Sequence, residues 1–442
     1  MSSTVDETAP GVPGGRAEAG RRVGRRYGID VAATGEPALW ALGGALAIGI
    51  LLVVGFLVMI FWNGITTFWP GPIQVVTLND GSRTAGEPRR SESYFPGPEL
   101  LASLPASERA AIEAADGAAH RTLYRIGNYD LYNQDFRWIS EFEVANVQEP
   151  PGWYFLERQE WGPFVGTIES LTLPERGSLA AAEFSEAELQ ALQEAARDRF
   201  QEIRHIERDL IGEVNHYMEA ARLELARVRL EQGPDSPQFQ AAERDTEQRI
   251  ASLQQQYQTL ADRAEAIKQE DAGYRMTLAE VGGRTKELPI SQIVRFYPAN
   301  ELSVLDKLGV YFSRWGEFLT AEPREANTEG GVLPAIFGTV AMTLMMVVFV
   351  APLGVVTALY LREYAKQGRL VAIVRICVNN LAGVPSIVYG VFGLGFFAYT
   401  LGGGIDQMFY PERLPSPTFG TGGLLWASLT LALLTVPVVI VA

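Results

Sequence analysis

Four apolar runs constrain this chain more than anything else in it: Ala38 to Trp62, Val332 to Leu361, Ile376 to Leu401 and Leu424 to Ala442. Each matches the roughly 20 residues that a helix needs to cross hydrocarbon. The whole-chain balance of 47% hydrophobic and 20% charged residues hides this, because polarity is segregated along the sequence. The segment 63–332, between the first two runs, holds 27 of the 37 Lys and Arg and 44 of the 52 Asp and Glu, a net charge of −17. That sign disfavours a nucleic-acid partner. One cysteine, Cys377, excludes an intramolecular disulfide. The three histidines, His120, His205 and His216, are scattered, and the last two sit on a charged helical pattern that reads as solvated surface, not a metal site. No GxxxxGK[ST] occurs, so the chain has no phosphate-binding loop of its own. No catalytic, cofactor or metal residue is nominated.

Charge sets the expected topology. The Gly/Pro/Ala-rich tail 1–36 reads as disordered and carries Arg16, Arg21, Arg22, Arg25 and Arg26 just before the first run, which marks it cytoplasmic. The run is too long for a signal-peptide core, and FWNGITTFWPGP offers no small-residue cleavage site. Transmembrane helix 1 is therefore expected at 37–62, with 63–332 outside, in the periplasm of a Gram-negative cell. The second run returns to LREYAKQGRLVAIVR, whose Arg362, Lys366, Arg369 and Arg375 suit a cytoplasmic loop. Further spans are expected at 333–361, 376–401 and 424–442.

Within the outer segment, strands are expected over 72–172 and 274–297. Ile73, Val75 and Leu78 alternate up to Asp80-Gly81, a hairpin signal; two more strands flank Trp161-Gly162, and another hairpin turns at Gly282-Gly283. Between these strands apolar residues recur every three or four positions from 189 to 228 and again from Ile250 to Ile267. With a capping box at Ser185 and Glu188, and Ser236-Pro237 as N-cap and N1, this predicts an antiparallel coiled-coil hairpin over 185–271. An amphipathic helix is expected at 301–319, with Leu302, Leu305, Leu308, Phe312, Trp315 and Phe318 on one side and Lys307 and Arg314 elsewhere. It suits either the outer membrane–water interface or packing on the outer domain.

The third run, VNNLAGVPSIVYGVFGLGFFAYTLGG, holds residues that weaken helices. Pro385 frees a carbonyl near Leu381, which lipid tolerates only where protein or a water-filled cavity satisfies it again. Asn379, Asn380 and Ser386 are side chains suited to that task or to a hydrated anion, and the glycines allow close helix approach. Candidates for the substrate pathway or gate are Asn379, Asn380, Pro385, Ser386, Tyr389 and Thr435; the alternative is static packing, with the Asn pair as a cap.

EPREANTEGGVLPAIFGTVAMTL, LYLREYAKQGRL, VNNLAGVPSIVYGVFGLGFF and PTFGTGGLLWASLTLALLTVPVVIVA together closely resemble the PstA-type membrane subunit of bacterial phosphate ABC importers. FRWISEFEV and LERQEWGPFVG resemble, more loosely, its long-insert form. The resemblance implies an α-helical integral membrane protein, a partial type I ABC importer permease (333–442) with a large α+β periplasmic insert. It also implies the partners: a PstC-type sister permease, a PstB-type ATPase dimer and a PstS-type periplasmic phosphate-binding protein, in the bacterial inner membrane. ATP hydrolysis would lie on the ATPase, so the chain itself is expected not to be an enzyme. The family pattern continues into a cytoplasmic coupling loop and further spans, whereas this sequence stops at Ala442 inside an apolar run, so a fragment of a longer permease is expected. Alternatives are a permease for another oxyanion such as molybdate or sulfate, a periplasmic coiled-coil membrane-fusion adaptor, and a span–domain–span sensor. Three further apolar runs weigh against the adaptor, and the lack of a cytoplasmic signalling domain weighs against the sensor.

Overall fold

The computed structural model describes residues 37–441, so the tail 1–36 lies outside the described residues. The chain divides into two units at Thr67/Phe68. The first contains helix α1 (Pro37–Thr67), whose side chains are exposed along the apolar run from Trp40. It continues five residues past the expected end at Trp62. The reason is local: Asn63 Nδ2 donates to the Met59 carbonyl (2.9 Å), Thr66 Oγ1 to Trp62 (3.0 Å) and Thr67 Oγ1 to Asn63 (2.6 Å), so polar side chains satisfy themselves on the helix.

The second unit begins with two antiparallel sheets. One contains β1 (Gln74–Leu78), β2 (Arg83–Tyr94), β3 (Ala119–Arg125), β4 (Phe136–Ser140) and β5 (Val144–Gln148), in the order β4-β3-β2-β1-β5. Short helices α2 (Pro98–Ser103) and α3 (Ala106–Ala114) join β2 to β3, and a single turn, α4 (Tyr129–Tyr132), follows β3. The second sheet runs β10-β9-β7-β6-β11, from β6 (Tyr154–Arg158), β7 (Phe164–Leu173), β9 (Arg275–Ala279), β10 (Thr285–Pro289) and β11 (Ile293–Pro298), with β8 (Gly177–Ala180) beside β7. The expected turns at Asp80-Gly81, Trp161-Gly162 and Gly282-Gly283 all join paired strands. One reading of phase fails. Ile73 and Val75 enter the core between the sheets, with Phe155, Val165 and Tyr297, whereas Leu78 joins Val76, Tyr124 and Ile139 on the opposite face. An even-numbered residue falls on the other side of a strand, and both faces of β1 are covered.

Helices α5 (Glu186–Arg204) and α6 (Ile211–Gln232) are joined by a π-helical turn, His205–Leu210, and α7 (Pro237–Asp271) returns alongside. Ion pairs Glu224–Arg249, Glu202–Arg263 and Glu207–Lys268 register the two arms as antiparallel. Ser236 Oγ accepts from Phe239 N–H at 3.1 Å and Pro237 is N1, as expected. At Ser185 only half of the expected box forms: its hydroxyl accepts from Glu188 N–H (3.2 Å), while the Glu188 carboxylate pairs with Arg176 instead. The apolar stripe also divides its duties. Leu189 and Ala196 pack on Leu171, Met276 and Leu278 of the second sheet, and Val214 and Ala221 are buried farther along the hairpin.

Helix α8 (Val304–Thr320) keeps Arg314 off the face that carries Leu305, Leu308 and Phe312, as expected, and turns that apolar face outward. Arg314 is buried, and Val304, Leu305 and Phe312 are exposed. Arg314 Nε donates to Glu157 (2.7 Å), and Nη2 donates to the Tyr297 hydroxyl (2.7 Å). A helical wheel reports which residues share a face, and here a buried carboxylate decides which face turns inward.

Among the described residues four helices are long and apolar enough to cross a membrane: Trp40–Thr67, Leu333–Tyr364, Ser386–Phe409 and Leu424–Val441. The second is α9 (Leu333–Leu359) with a π-helical end; the fourth is α13 (Leu424–Val441), packed against α9. The third differs from the expected 376–401. The chain forms α10 (Arg369–Ala382), breaks, and resumes as α11 (Ser386–Phe392), a π-helical stretch Gly393–Gly402 and α12 (Gly403–Phe409). Pro385 lacks an N–H and disfavours helical backbone at Val384, so the helix ends where a mere kink was expected.

Candidate functional site

The break is built from two backbone turns, a proline and one tyrosine side chain. Gly383 N–H donates to the Asn380 carbonyl and Val384 N–H to the Leu381 carbonyl, both at 3.1 Å, closing α10 in a tight turn. Pro385 then caps α11 in extended geometry (φ −56°, ψ 137°). The Leu381 carbonyl that the proline leaves available also accepts from the Tyr389 hydroxyl at 2.8 Å, one turn into α11. Tyr389 is buried and fastens the two helices across the break. Asn379, Asn380 and Ser386, the side chains expected to serve that carbonyl, are exposed.

The six candidates do not form one cluster. Asn380, Pro385, Ser386 and Tyr389 lie at the break. Asn379 lines a cavity of about 410 Å³ with Arg362, Arg375 and the end of α13, where two guanidinium groups provide positive charge. Thr435 sits between α13 and α9: its hydroxyl donates to the Leu431 carbonyl (2.7 Å) and contacts Met346 Sδ (3.7 Å). Its surroundings are those of a packing residue.

The glycines also separate. A Cβ on Gly393 would stand 2.0 Å from Thr430 Oγ1, and one on Gly354 would stand 2.6 Å from Val439, so these two glycines let α13 approach its neighbours. Gly390 and Gly395 face open space. We expect Gly393→Ala to lower thermal stability in lipid or detergent, at an overpacking cost of about 1–3 kcal/mol. Gly395→Ala should be near neutral, and Thr430→Ala should relieve much of the Gly393→Ala defect. Equal effects of the two glycine substitutions would refute the close-approach assignment.

Sequence reasoning missed a second group, at the other end of the third span. Asp406 of α12 is wholly buried and accepts from Phe419 N–H (2.8 Å) and Gly420 N–H (2.6 Å). The Phe419 carbonyl accepts from Trp426 Nε1 (2.7 Å) and lies where a Cβ on Gly402 would be, 2.0 Å away. This latch fixes the loop between the third and fourth spans. A lone acid in GGGIDQMF was its only sequence signal. The α6 arm reaches the same loop, where Arg227 pairs with Glu412 at 2.7 Å.

The segment entering α9 is latched as well. The β6–β7 turn places Trp161 (φ 68°) and Gly162 (φ 63°) in left-handed backbone, and both N–H groups donate to the Glu325 carboxylate (2.7 and 2.8 Å). Glu322 binds Arg204 and Arg208 of the hairpin, Glu329 binds Arg125 and Arg324 binds Glu317. The sheets and the helical hairpin are thus fastened to the start of one apolar helix and to the loop between two others. Among the described residues no group of three or more His, Cys, Asp or Glu is placed to hold a metal ion.

Several known proteins are similar over part of this chain. The probable ABC transporter permease protein YqgH of Bacillus subtilis is 39% identical over 82 residues, 18% of this chain and 26% of that protein. The phosphate transport system permease protein PstA 1 of Mycobacterium tuberculosis is 42% identical over 73 residues, 16% of this chain and 24% of its own. The phosphate transport system permease protein PstC of Mesorhizobium japonicum is 33% identical over 130 residues, 27% of this chain and 39% of its own. The chain thus spans between about a quarter and two-fifths of the length of these relatives. No protein-family profile matches, and no solved structure matches. The local likeness to permeases and the four apolar helices together indicate a multi-pass membrane protein.

Proposed function

We propose that the chain is a transmembrane permease subunit of an ATP-driven inorganic phosphate importer and forms part of its translocation pathway. The observation that carries this reading is the local identity to PstA and PstC phosphate transport system permease proteins. The third span supports it physically: a helix broken at Pro385, π-helical over Gly393–Gly402 and closely packed at Gly393 has the features of an element that changes shape. Its partners are a PstC-type sister permease, a PstB-type ATPase dimer and a PstS-type binding protein. The N-terminus is cytoplasmic, residues 63–332 are periplasmic, and the membrane is the bacterial inner membrane. The Arg227–Glu412 pair supports that topology, because it puts the outer domain on the side of the loop between the third and fourth spans. The helical hairpin is an antiparallel coiled coil that scaffolds this rim. With its net charge of −17, the outer segment is unsuited to be the phosphate receptor itself.

The test is uptake of radiolabelled phosphate by cells lacking other phosphate importers and supplied with the system that contains this chain. ATP-dependent accumulation, competed by unlabelled phosphate and not by molybdate or sulfate, is expected. Accumulation of molybdate or sulfate in place of phosphate would transfer the assignment to another oxyanion.

A further inference from the structure

Helix α8 turns its apolar stripe away from the protein. Val304, Leu305, Leu308, Phe312 and Leu319 are exposed, Leu305 at 79% and Phe312 at 66%. With Gly309 and Gly316 they line one side of the helix from end to end. The charged residues lie elsewhere: Arg314 and Glu317 face the sheet through Glu157 and Arg295, and Asp306 caps Ser303.

Two contacts set the height of this helix. Arg314 Nη1 donates to the Phe68 carbonyl at 3.0 Å, and the Tyr311 ring lies 5.9 Å from that of Trp69. Phe68 is the first residue after the α1 span. About one turn on, the Phe318 carbonyl accepts from Val332 N–H at 2.8 Å, and Val332 is the N-cap of the α9 span. Both are points where the chain leaves or enters an apolar helix, so both lie at a membrane boundary. A helix of 17 residues is about 25 Å long, and standing upright from that boundary it would lift Val304 and Leu305 well into water. Lying flat, it puts the whole stripe at one depth. The start of the α9 span is exposed and apolar too, at Ile336, Phe337 and Val340. Trp69, Tyr311 and Trp315 gather beside the stripe, the residue types that favour the headgroup level.

We infer that α8 lies in the outer lipid–water interface, its apolar stripe against the acyl chains, so that the outer domain rests on the bilayer surface. The occupant of the exposed face is lipid. This inference rests on α9 crossing the membrane and not on which ion is transported, so failure of the phosphate assignment leaves it standing.

The test uses the whole chain in lipid nanodiscs with Cys377→Ser, the lone cysteine being exposed. An environment-sensitive fluorophore is attached at Leu305→Cys or Phe312→Cys. Leu344→Cys on α9 serves as the membrane control and Glu247→Cys on the hairpin as the aqueous control; all four positions are exposed, so labelling leaves the core intact. Positions 305 and 312 should show blue-shifted emission, lose it in brominated lipid as position 344 does, and resist aqueous iodide. Iodide quenching of 305 and 312 like that of 247 would overturn the inference. So would blue-shifted emission indifferent to brominated lipid, which would mean that protein covers this face.

Discussion

Glu157→Ala should destabilise the β-sheet domain by about 3–5 kcal/mol, the usual cost of breaking a buried ion pair from one side. Glu157 stands on β6 with its side chain 12% exposed, between Arg314 and Arg295. Arg314 binds it through two nitrogens, at 2.7 and 2.6 Å, and Arg295 reaches its other oxygen. Without the carboxylate, two guanidinium groups remain in the interior, with Glu317 beside Arg295 and the more distant Glu87 acting on Arg314. Denaturant unfolding of the chain in detergent, followed by the tryptophans of the β-sheet domain, measures the loss. Removing Glu157 and Arg314 together, as in Glu157→Met with Arg314→Met, should cost less than the sum of the single changes, because Arg314 is not left unpaired and Arg295 keeps Glu317. A stability for Glu157→Ala within about 0.5 kcal/mol of the parent, the range of ordinary surface changes, would show that the cluster holds nothing together.

The same residue predicts a pH dependence. Burial pushes the Glu157 carboxyl up, but Arg314 and Arg295 more than offset this and hold it below its usual value of 4.5. A carboxyl whose folded value is depressed contributes stability that is present above the unfolded value and is lost as pH falls through the folded one. The parent should therefore lose stability on acidification below about pH 4.5 more steeply than Glu157→Gln, which has no charge there to lose.

Asp406→Ala should release the loop between the third and fourth spans. Two backbone N–H groups, of Phe419 and Gly420, donate to this one carboxylate from a site where it is wholly buried. Hydrogen bonds to a charged group are roughly twice as strong as neutral ones, so losing both should open the loop locally. Amide hydrogen exchange at Phe419 and Gly420 is the direct readout, and protection at both should collapse. Asp406→Asn keeps one acceptor oxygen and should retain part of it. Unchanged protection in both variants would mean that the loop is held by Trp426 and the Gly402 contact alone.

The sequence was most legible where the physics is local or is imposed by solvent. Length and apolarity placed four spans, because a bilayer offers no backbone partners. Asp80-Gly81 and Gly282-Gly283 announced their hairpins through backbone that other residues adopt poorly; Gly81 and Gly283 have φ of 82° and 84°. Ser236-Pro237 announced the second arm of the helical hairpin. The third span was half legible: Pro385 signalled a disturbance, yet the sequence did not distinguish a kink from a break, or point to Tyr389 as the residue that satisfies the Leu381 carbonyl.

The residues that stayed illegible share one property: their partners are far away in sequence. Arg314 has no visible partner on a helical wheel until Glu157, 157 positions earlier, is brought beneath it. Gly393 resembles Gly390 and Gly395 until Thr430 arrives from α13. Glu325 and Glu329 are two acids in a linker until a left-handed turn and Arg125 fix them. Periodicity, turn chemistry and hydropathy depend on neighbours along the chain, so the sequence by itself determined which segments are spans, strands and helices. Which face of α8 is covered, which glycine admits a neighbouring helix and which acid holds a loop depend on surfaces that meet only after those elements pack, and the tertiary structure alone decided them.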